Sequence, residues 1–448
     1  MGLSQILESA FCYLQQSLFY YYFNMYIRSD RLLKGGENVK FIHTGDIHWG
    51  MSPDSDKPWS RERSRDIRDT FTAIIAKAKE LRVDCLFIAG DLFHRQPLLR
   101  DLKEVNYLFS TIPQTQVIII AGNHDRIRKN SAVLSFSWAS NVTFLESEDV
   151  SSVYFEDINT EVTGFSYYTA EIPEPRLDAL EAPEDGKIHI LLGHGGDANH
   201  VPIDRAALAS SGFSYIALGH IHRPEILLDK KMAYCGSPEP LDKTETGRHG
   251  ILYGEIDPEI GQVTTLDFIP MAKLRYIPLI VRVTPDTTNT ELYLKIAHEI
   301  EQRGNDNIFR FKVQGMRDPD ISFDLDALKL RFRIADIIDE TEPQYDFSAL
   351  FAEHPSDMIG FYIQALKKPD MSPVEKKALF YGIHALLLTT DERSVGHVIH
   401  HMNGSAVDID HDIVTAHFVL MNQNSPPSIN AQMTERYQAY GRVYFFLF

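Results

Sequence analysis

Five times between residues 40 and 220 an apolar run closes on a glycine followed at once by Asp, Asn or His. KFIHTGD ends at Asp46, CLFIAGD at Asp91, VIIIAGN at Asn123, HILLGH at His194 and YIALGH at His220. Such continuous apolar stretches read as strands buried on both faces. In the α/β sheets built from strands of this kind, ligands sit beyond the carboxyl ends. A glycine at that point permits a sharp turn and close approach of the backbone to a bound group. Two ends carry a second polar residue, Asp46-Ile47-His48 and His220-Ile221-His222, which an extended segment would present on one side. The pattern predicts one crevice lined by Asp46, His48, Asp91, Asn123, His194, His220 and His222. A single Gly-Asp after a strand is commonly a plain turn; five strand ends in this series are not. Carboxylate, amide oxygen and imidazole suit Mn2+, Fe2+ or Zn2+. Seven donors exceed the needs of one ion, but two divalent ions about 3.5–4 Å apart, sharing a carboxylate, would use them.

Between residues 40 and 275 strands first alternate with helical stretches, RDIRDTFTAIIAKAKELRVD and LLRDLKEVNYLFSTI, and later follow one another closely. An α/β sandwich with parallel strands and an antiparallel portion is expected. From residue 276, IPLIVRV, LYLKIAHEIEQR and IFRFKVQG read as a small β-α-β unit. Residues 330–390 read as helical and acidic, ending in VEKKALFYGIHALLLTT. The expected divisions are a leader at 1–38, a domain at 39–275, the β-α-β unit at 276–340, a helical region at 341–394 and an unassigned tail at 395–448. The leader closes in KGGENVK, which back-translates as a ribosome-binding sequence before a GTG codon, so Val39 is the expected native start. A real but weakly patterned N-terminal helix is the alternative.

Charge and cysteine content narrow the function. A formal net charge of −18 argues against bulk electrostatic binding of nucleic acid. It leaves a nuclease open, because carboxylates that bind metal count as negative here. Three scattered cysteines, Cys12, Cys85 and Cys235, make neither a disulfide framework nor a zinc finger and fit a reducing, cytoplasmic setting. No apolar run reaches the roughly 20 residues of a membrane helix.

In this order, GDIH, GDLFH, GNHD, GH and GHIH resemble the five motifs of the calcineurin-like metallophosphoesterases over most of residues 40–240. HTGDIHWG, the GDLFH form with its His94, and YCGSPEPLD (residues 234–242) look like the SbcD branch of the double-strand-break-repair nucleases. The resemblance implies a four-layer α/β sandwich with a small β-α-β capping domain and a helical C-terminal region. It implies one ion on Asp46, His48, Asp91 and His222 and a second on Asp91, Asn123, His194 and His220, with Mn2+ the first choice. It implies that His94 positions phosphate or nucleotide.

His124 follows a ligand position and should face the same crevice as a near-neutral acid for the leaving oxygen. Asp125 is then expected to orient its imidazole. Arg126, with Arg128 and Lys129, and separately Arg61, Arg63 and Arg65, could follow a phosphate backbone or form solvated clusters. His43, His200 and His249 receive no role. The leading expectation is a metal-dependent DNA exonuclease, endonucleolytic cleavage open, acting on duplex ends in repair or recombination. Its partners would be DNA, an SbcC-type ABC/SMC-family ATPase docked near residues 373–390, and a second copy in a homodimer. A small-molecule phosphodiesterase or phosphatase is the alternative, and a non-catalytic scaffold the third.

Overall fold

The computed structural model describes residues 36–390. The tail expected at 395–448 and the leader up to residue 35 lie outside them. From Val39 the chain forms β1 (Val39–Thr44), α1 (Ser60–Leu81), β2 (Cys85–Ala89), α2 (Leu99–Ser110), β3 (Gln116–Ile120) and β4 (Val142–Phe144). It continues through β5 (Ser151–Phe155), β6 (Thr160–Gly164), β7 (Ile188–His194), α3 (Arg205–Ser210) and β8 (Tyr215–Gly219). Then come β9 (Glu225–Leu228), β10 (Met232–Tyr234), β11 (Gly250–Asp257) and β12 (Gln262–Pro270).

These strands make two six-stranded sheets, ordered β12-β11-β1-β2-β3-β4 and β5-β6-β7-β8-β10-β9. Strands β1 to β4 are parallel, and β11 and β12 extend that sheet antiparallel. Strands β6, β7, β8 and β10 are parallel, with β5 and β9 antiparallel at the edges. Alternate side chains of a strand point to opposite faces, which explains why both residue sets are apolar. Phe41, Phe87, Ile118 and Ile120 pack against Val162, Ile190, Leu192 and Ala217 of the second sheet. Ile42, Leu86, Ile88 and Ile119 turn the other way, onto Phe71 and Ile74 of α1 and Val105 and Phe109 of α2. On the far side, Leu191, Ile216 and Leu218 meet Leu208 of α3 and the loop residues Leu177 and Val201. The layers run helix, sheet, sheet, helix-and-loop: a four-layer α/β sandwich.

After residue 275 come β13 (Tyr276–Val283), α4 (Asn289–Arg303), β14 (Ile308–Arg317), α5 (Leu325–Arg331) and β15 (Ile334–Pro343), in a sheet ordered β13-β14-β15. Helices α6 (Phe347–Glu353), α7 (Met358–Leu366) and α8 (Pro373–Thr390) follow. Strand β15 corrects the helical reading of this stretch. Its Asp336, Asp339 and Glu340 suggested a solvated helix, whereas Ile334 and Ile337 are buried as strand residues of a small sheet. The described chain divides into two compact units through these three strands. One holds residues 36–281, Tyr293–Val313 and Asp324–Asp339; the other holds Arg282–Leu292, Gln314–Phe323 and residues 340–390. The second has its own core of Ile359, Tyr362, Ile363, Leu379 and Ile383. Among the described residues, no helix is long and apolar enough to cross a membrane.

Candidate metal centre at the strand ends

Strands β1, β2 and β3 of one sheet and β7 and β8 of the other end on the same side of the sandwich, and all seven singled-out residues converge there. Asp46, His48, Asp91 and His194 are buried, while Asn123, His220 and His222 are half-buried. The backbone is bent to bring them in. Asp46 (φ 49°), His48 (φ 51°), Asp91 (φ 49°) and His220 (φ 89°) all lie in the left-handed region. That conformation is costly outside glycine and clusters where a site requires it. The sequence reading of Asp46-Ile47-His48 as an extended segment is therefore corrected: β1 stops at Thr44, and the two side chains share a side because the chain curls. The curl is fixed by hydrogen bonds from Asp46 N to Gly90 O (3.0 Å) and His48 N to Asp91 O (3.0 Å).

Asp91 occupies the middle. Its Oδ2 lies 3.6 Å from His48 Nε2 and 3.6 Å from His194 Nε2. Towards His48, the group continues to His222, whose Nε2 is 3.3 Å from His48 Nε2 and 4.0 Å from Asp46 Oδ1. Towards His194, it continues to Asn123, whose Oδ1 is 2.9 Å from His194 Nε2. The His220 ring stands 5.2 Å from that of His194. Asp46 also accepts from the His220 amide, at 2.9 Å to Oδ2.

The donor chemistry fits cations. His194 donates through Nδ1 to Ala89 O (2.8 Å), and burial holds its pKa far below the usual histidine range, so the ring is neutral. Its Nε2 lone pair then faces two oxygens, Asn123 Oδ1 and Asp91 Oδ2. Three acceptors facing one another need positive charge between them. Burial also pushes the carboxyls of Asp46 and Asp91 up, to about 7 and about 6. At His222 burial works against protonation, but the Glu245 hydrogen bond and the charges of Asp46, Glu245 and Asp91 outweigh it and lift the pKa to about 9. This pocket draws in positive charge.

The candidate catalytic residues form the rim. His124 is exposed, its amide donating to Asp91 Oδ1 at 2.9 Å. Its ring meets His48 edge-on at 4.7 Å and stacks on His94 at 5.3 Å. His94 Nδ1 lies 3.2 Å from His48 Nδ1. Asp125 corrects the expectation that it orients His124. Its carboxylate accepts instead from Gly122 N (2.8 Å) and Phe93 N (3.1 Å), because its side chain turns inward and braces the two loops that carry Asp91 and Asn123. The Arg126 guanidinium donates to Asn123 O at 2.9 Å and is half-buried; Arg128 and Lys129 are exposed. Arg61 and Arg65 are exposed, but Arg63 is fully buried against Glu239, which removes it from any surface cluster.

Two carboxylates and one histidine beside the site escaped the sequence reading. Glu245 Oε1 is 2.7 Å from His222 Nδ1, and Asp197 Oδ2 is 2.8 Å from His220 Nε2. His200 pairs with Asp197 at 2.9 Å and packs its ring 4.4 Å from that of His220. The Gly-Gly-Asp at 195–197, directly after His194, was a signal for Asp197; nothing in the spacing of DKTET marks Glu245.

The family model for calcineurin-like phosphoesterases matches residues 39–224. Over 219 residues the chain is 30% identical to the "DNA double-strand break repair protein Mre11" of Methanocaldococcus jannaschii, covering 46% of this chain and 58% of that protein. It is 28% identical to the Mre11 protein of Archaeoglobus fulgidus over 235 residues (47% and 52%). It is 27% identical to the Bacillus subtilis "Uncharacterized metallophosphoesterase YhaO" over 243 residues (48% and 56%). The chain thus spans little more than half the length of these relatives. With the motif order, the sandwich and the converged Asp, Asn and His side chains, residues 39–224 match the calcineurin-like phosphoesterase family and carry its fold.

Proposed function

We propose that this chain is a metal-dependent DNA nuclease that hydrolyses phosphodiester bonds at duplex ends in repair or recombination. The observation that carries the reading is the pair of half-buried His94 and exposed His124, stacked at the rim of a centre whose other seven polar side chains point inward. Relatives named for DNA double-strand break repair support the choice of DNA. In this reading Asp46, His48, Asp91 and His222 hold one divalent ion, and Asp91, Asn123, His194 and His220 hold the other. Mn2+ is the metal we favour, since hard and borderline donors are mixed and no thiolate is present. When bound, two such ions supply a nucleophile near neutral pH and take up charge at phosphorus.

The protein's own groups do the rest. His124, exposed and held by its amide against Asp91, donates a proton to the leaving oxygen. His94, stacked on it, sets the phosphate in line, and the free N–H groups of Arg126 offer contacts to the next phosphate. An SbcC-type ATPase bound along α8, a second copy of the chain and a cytoplasmic location complete the proposal.

Incubating the full chain with Mn2+ and an end-labelled duplex tests it. A ladder of shortened products is expected, abolished in Asp91→Ala. In His124→Ala it should be slowed on the order of 10²- to 10⁴-fold with metal still bound. The net charge of −18 favours one competing reading, a small-molecule phosphodiesterase or phosphatase. Brisk hydrolysis of a cyclic nucleotide or monoester with the duplex left intact would establish that reading instead.

A further inference from the structure

Glu245 lies beyond residue 224, where the family match ends, and its side chain reaches back to the site. One carboxylate there gathers three donors: His222 Nδ1 on Oε1 at 2.7 Å, and the Leu241 amide (2.9 Å) and Ser237 hydroxyl (3.0 Å) on Oε2. The group is 14% exposed. A ligating imidazole is neutral, a bound cation taking the place of its second proton, and one that donates through Nδ1 offers its lone pair on Nε2, the nitrogen that faces Asp46 and His48. The turn carrying Glu245 is held at both ends. Ser237 N donates to His222 O at 3.0 Å, and Thr246 bridges to Tyr276 in β13. Between them, Lys243 O accepts from Arg310 Nη1 (3.1 Å), and Lys243 Nζ pairs with Asp336 (3.1 Å), which itself pairs with Arg310 Nε (3.1 Å). Strands β14 and β15 of the small sheet thus grip the turn whose carboxylate grips the histidine.

We propose that Glu245 is a positioning residue for His222, fixing its tautomer and ring plane, and that the 237–246 turn transmits the hold of the small sheet to that ring. This rests on the reading of His222 as a metal ligand. Carboxylates placed behind ligating histidines are typically worth ten- to a hundredfold in metal affinity.

Calorimetric titration of the full chain with Mn2+ alone reads the two sites without any turnover. The parent should bind two ions. Glu245→Ala should still bind two, one of them ten- to a hundredfold more weakly and the other as in the parent. Glu245→Gln, which keeps an oxygen for the Nδ1–H, should fall between. Arg310→Ala should weaken the same site by less than Glu245→Ala does. In a His222→Ala background, Glu245→Ala should change nothing further, since it acts through that ring. Parent-like affinity at both sites in Glu245→Ala overturns the proposal, as does equal weakening of both. If Glu245→Ala fails to fold, undiminished affinity at both sites in Glu245→Gln overturns it. A parent that binds no Mn2+ overturns the metal reading itself, a result distinct from all of these.

Discussion

Three of the glycines that precede the candidate ligands are there for room more than for turning. A Cβ on Gly122 would lie 2.3 Å from Asp91 Oδ1, and one on Gly219 only 2.0 Å from Ala89 O. Neither glycine has a positive φ; nor does Gly45, and the left-handed residues at those ends are Asp46 and His220, one position later. The sequence therefore showed which side chains would converge at the strand ends while misplacing the bend, because residue type shows where small size is needed but not which neighbour is strained. His43 illustrates a group whose cost is also legible only in three dimensions. It sits in β1 with Nδ1 3.0 Å from the Tyr215 hydroxyl in the facing sheet, and burial holds its pKa down to about 3. Between pH 6.5 and that value, the unfolded chain binds a proton that the folded chain refuses. The contribution of His43 to stability therefore rises with pH across this window and falls as pH is lowered, by about 1.4 kcal/mol per unit. His43→Gln keeps an acceptor for Tyr215 and removes the titration. Urea denaturation from pH 7 to 4 should show the variant gaining on the parent by that slope below pH 6. Parallel curves would mean that His43 does not stay neutral in the core.

At the scale of an element, α1 shows how much periodicity tells and where charge misleads. Its buried residues Arg63, Ile67, Thr70, Phe71, Ile74 and Ala78 follow the three- and four-residue spacing of one helix face. The RERSR run suggests a basic surface, yet Arg63 belongs to the apolar stripe and Arg61 and Arg65 do not. Its guanidinium donates to Glu239 (3.2 Å), Asp66 (2.8 Å) and Pro240 O (2.6 Å), while Glu239 also accepts from the Thr70 hydroxyl (2.6 Å). This fastens α1 to the Gly236–Pro240 turn behind the candidate metal centre. Such a partner, 176 residues away in sequence, leaves no trace in local pattern. Strand β15 went unread for a related reason, since acidic residues on the open side of a small sheet resemble a solvated helix. Removing one member of a buried pair leaves the other uncompensated, at a cost of about 3–5 kcal/mol. Arg63→Met should lose that much in urea denaturation, and Arg63→Met with Glu239→Gln should recover part of it. A loss under 1 kcal/mol in the single variant would show that the helix is held by its apolar stripe alone.

Over the whole molecule, the burial of two carboxyls in one pocket makes the metal question one of stability as well as chemistry. Asp46 and Asp91 are almost entirely inaccessible to water, and burial raises both of them above the ordinary carboxylate range. For an acid whose folded pKa exceeds its unfolded value of about 3.9, stability is lost as pH climbs through that interval. In the metal-free protein the contribution of these two carboxyls should therefore fall from pH 4 towards 7, against the opposite trend that His43 sets. Bound cations reverse the sign, each contributing about 2.7 kcal/mol at a concentration a hundred times its Kd. Asp91→Asn separates the two effects, because an amide oxygen can still accept from the His124 amide while the buried charge disappears. In chelator at pH 7.5, Asp91→Asn should melt above the parent, the gap narrowing as pH approaches 4. With saturating Mn2+ the order should invert, the parent gaining several degrees and the variant little. A variant that melts below the parent in chelator and gains as much from Mn2+ would mean that Asp91 serves as a core polar group, and the two-ion centre would have to be rebuilt without its shared ligand.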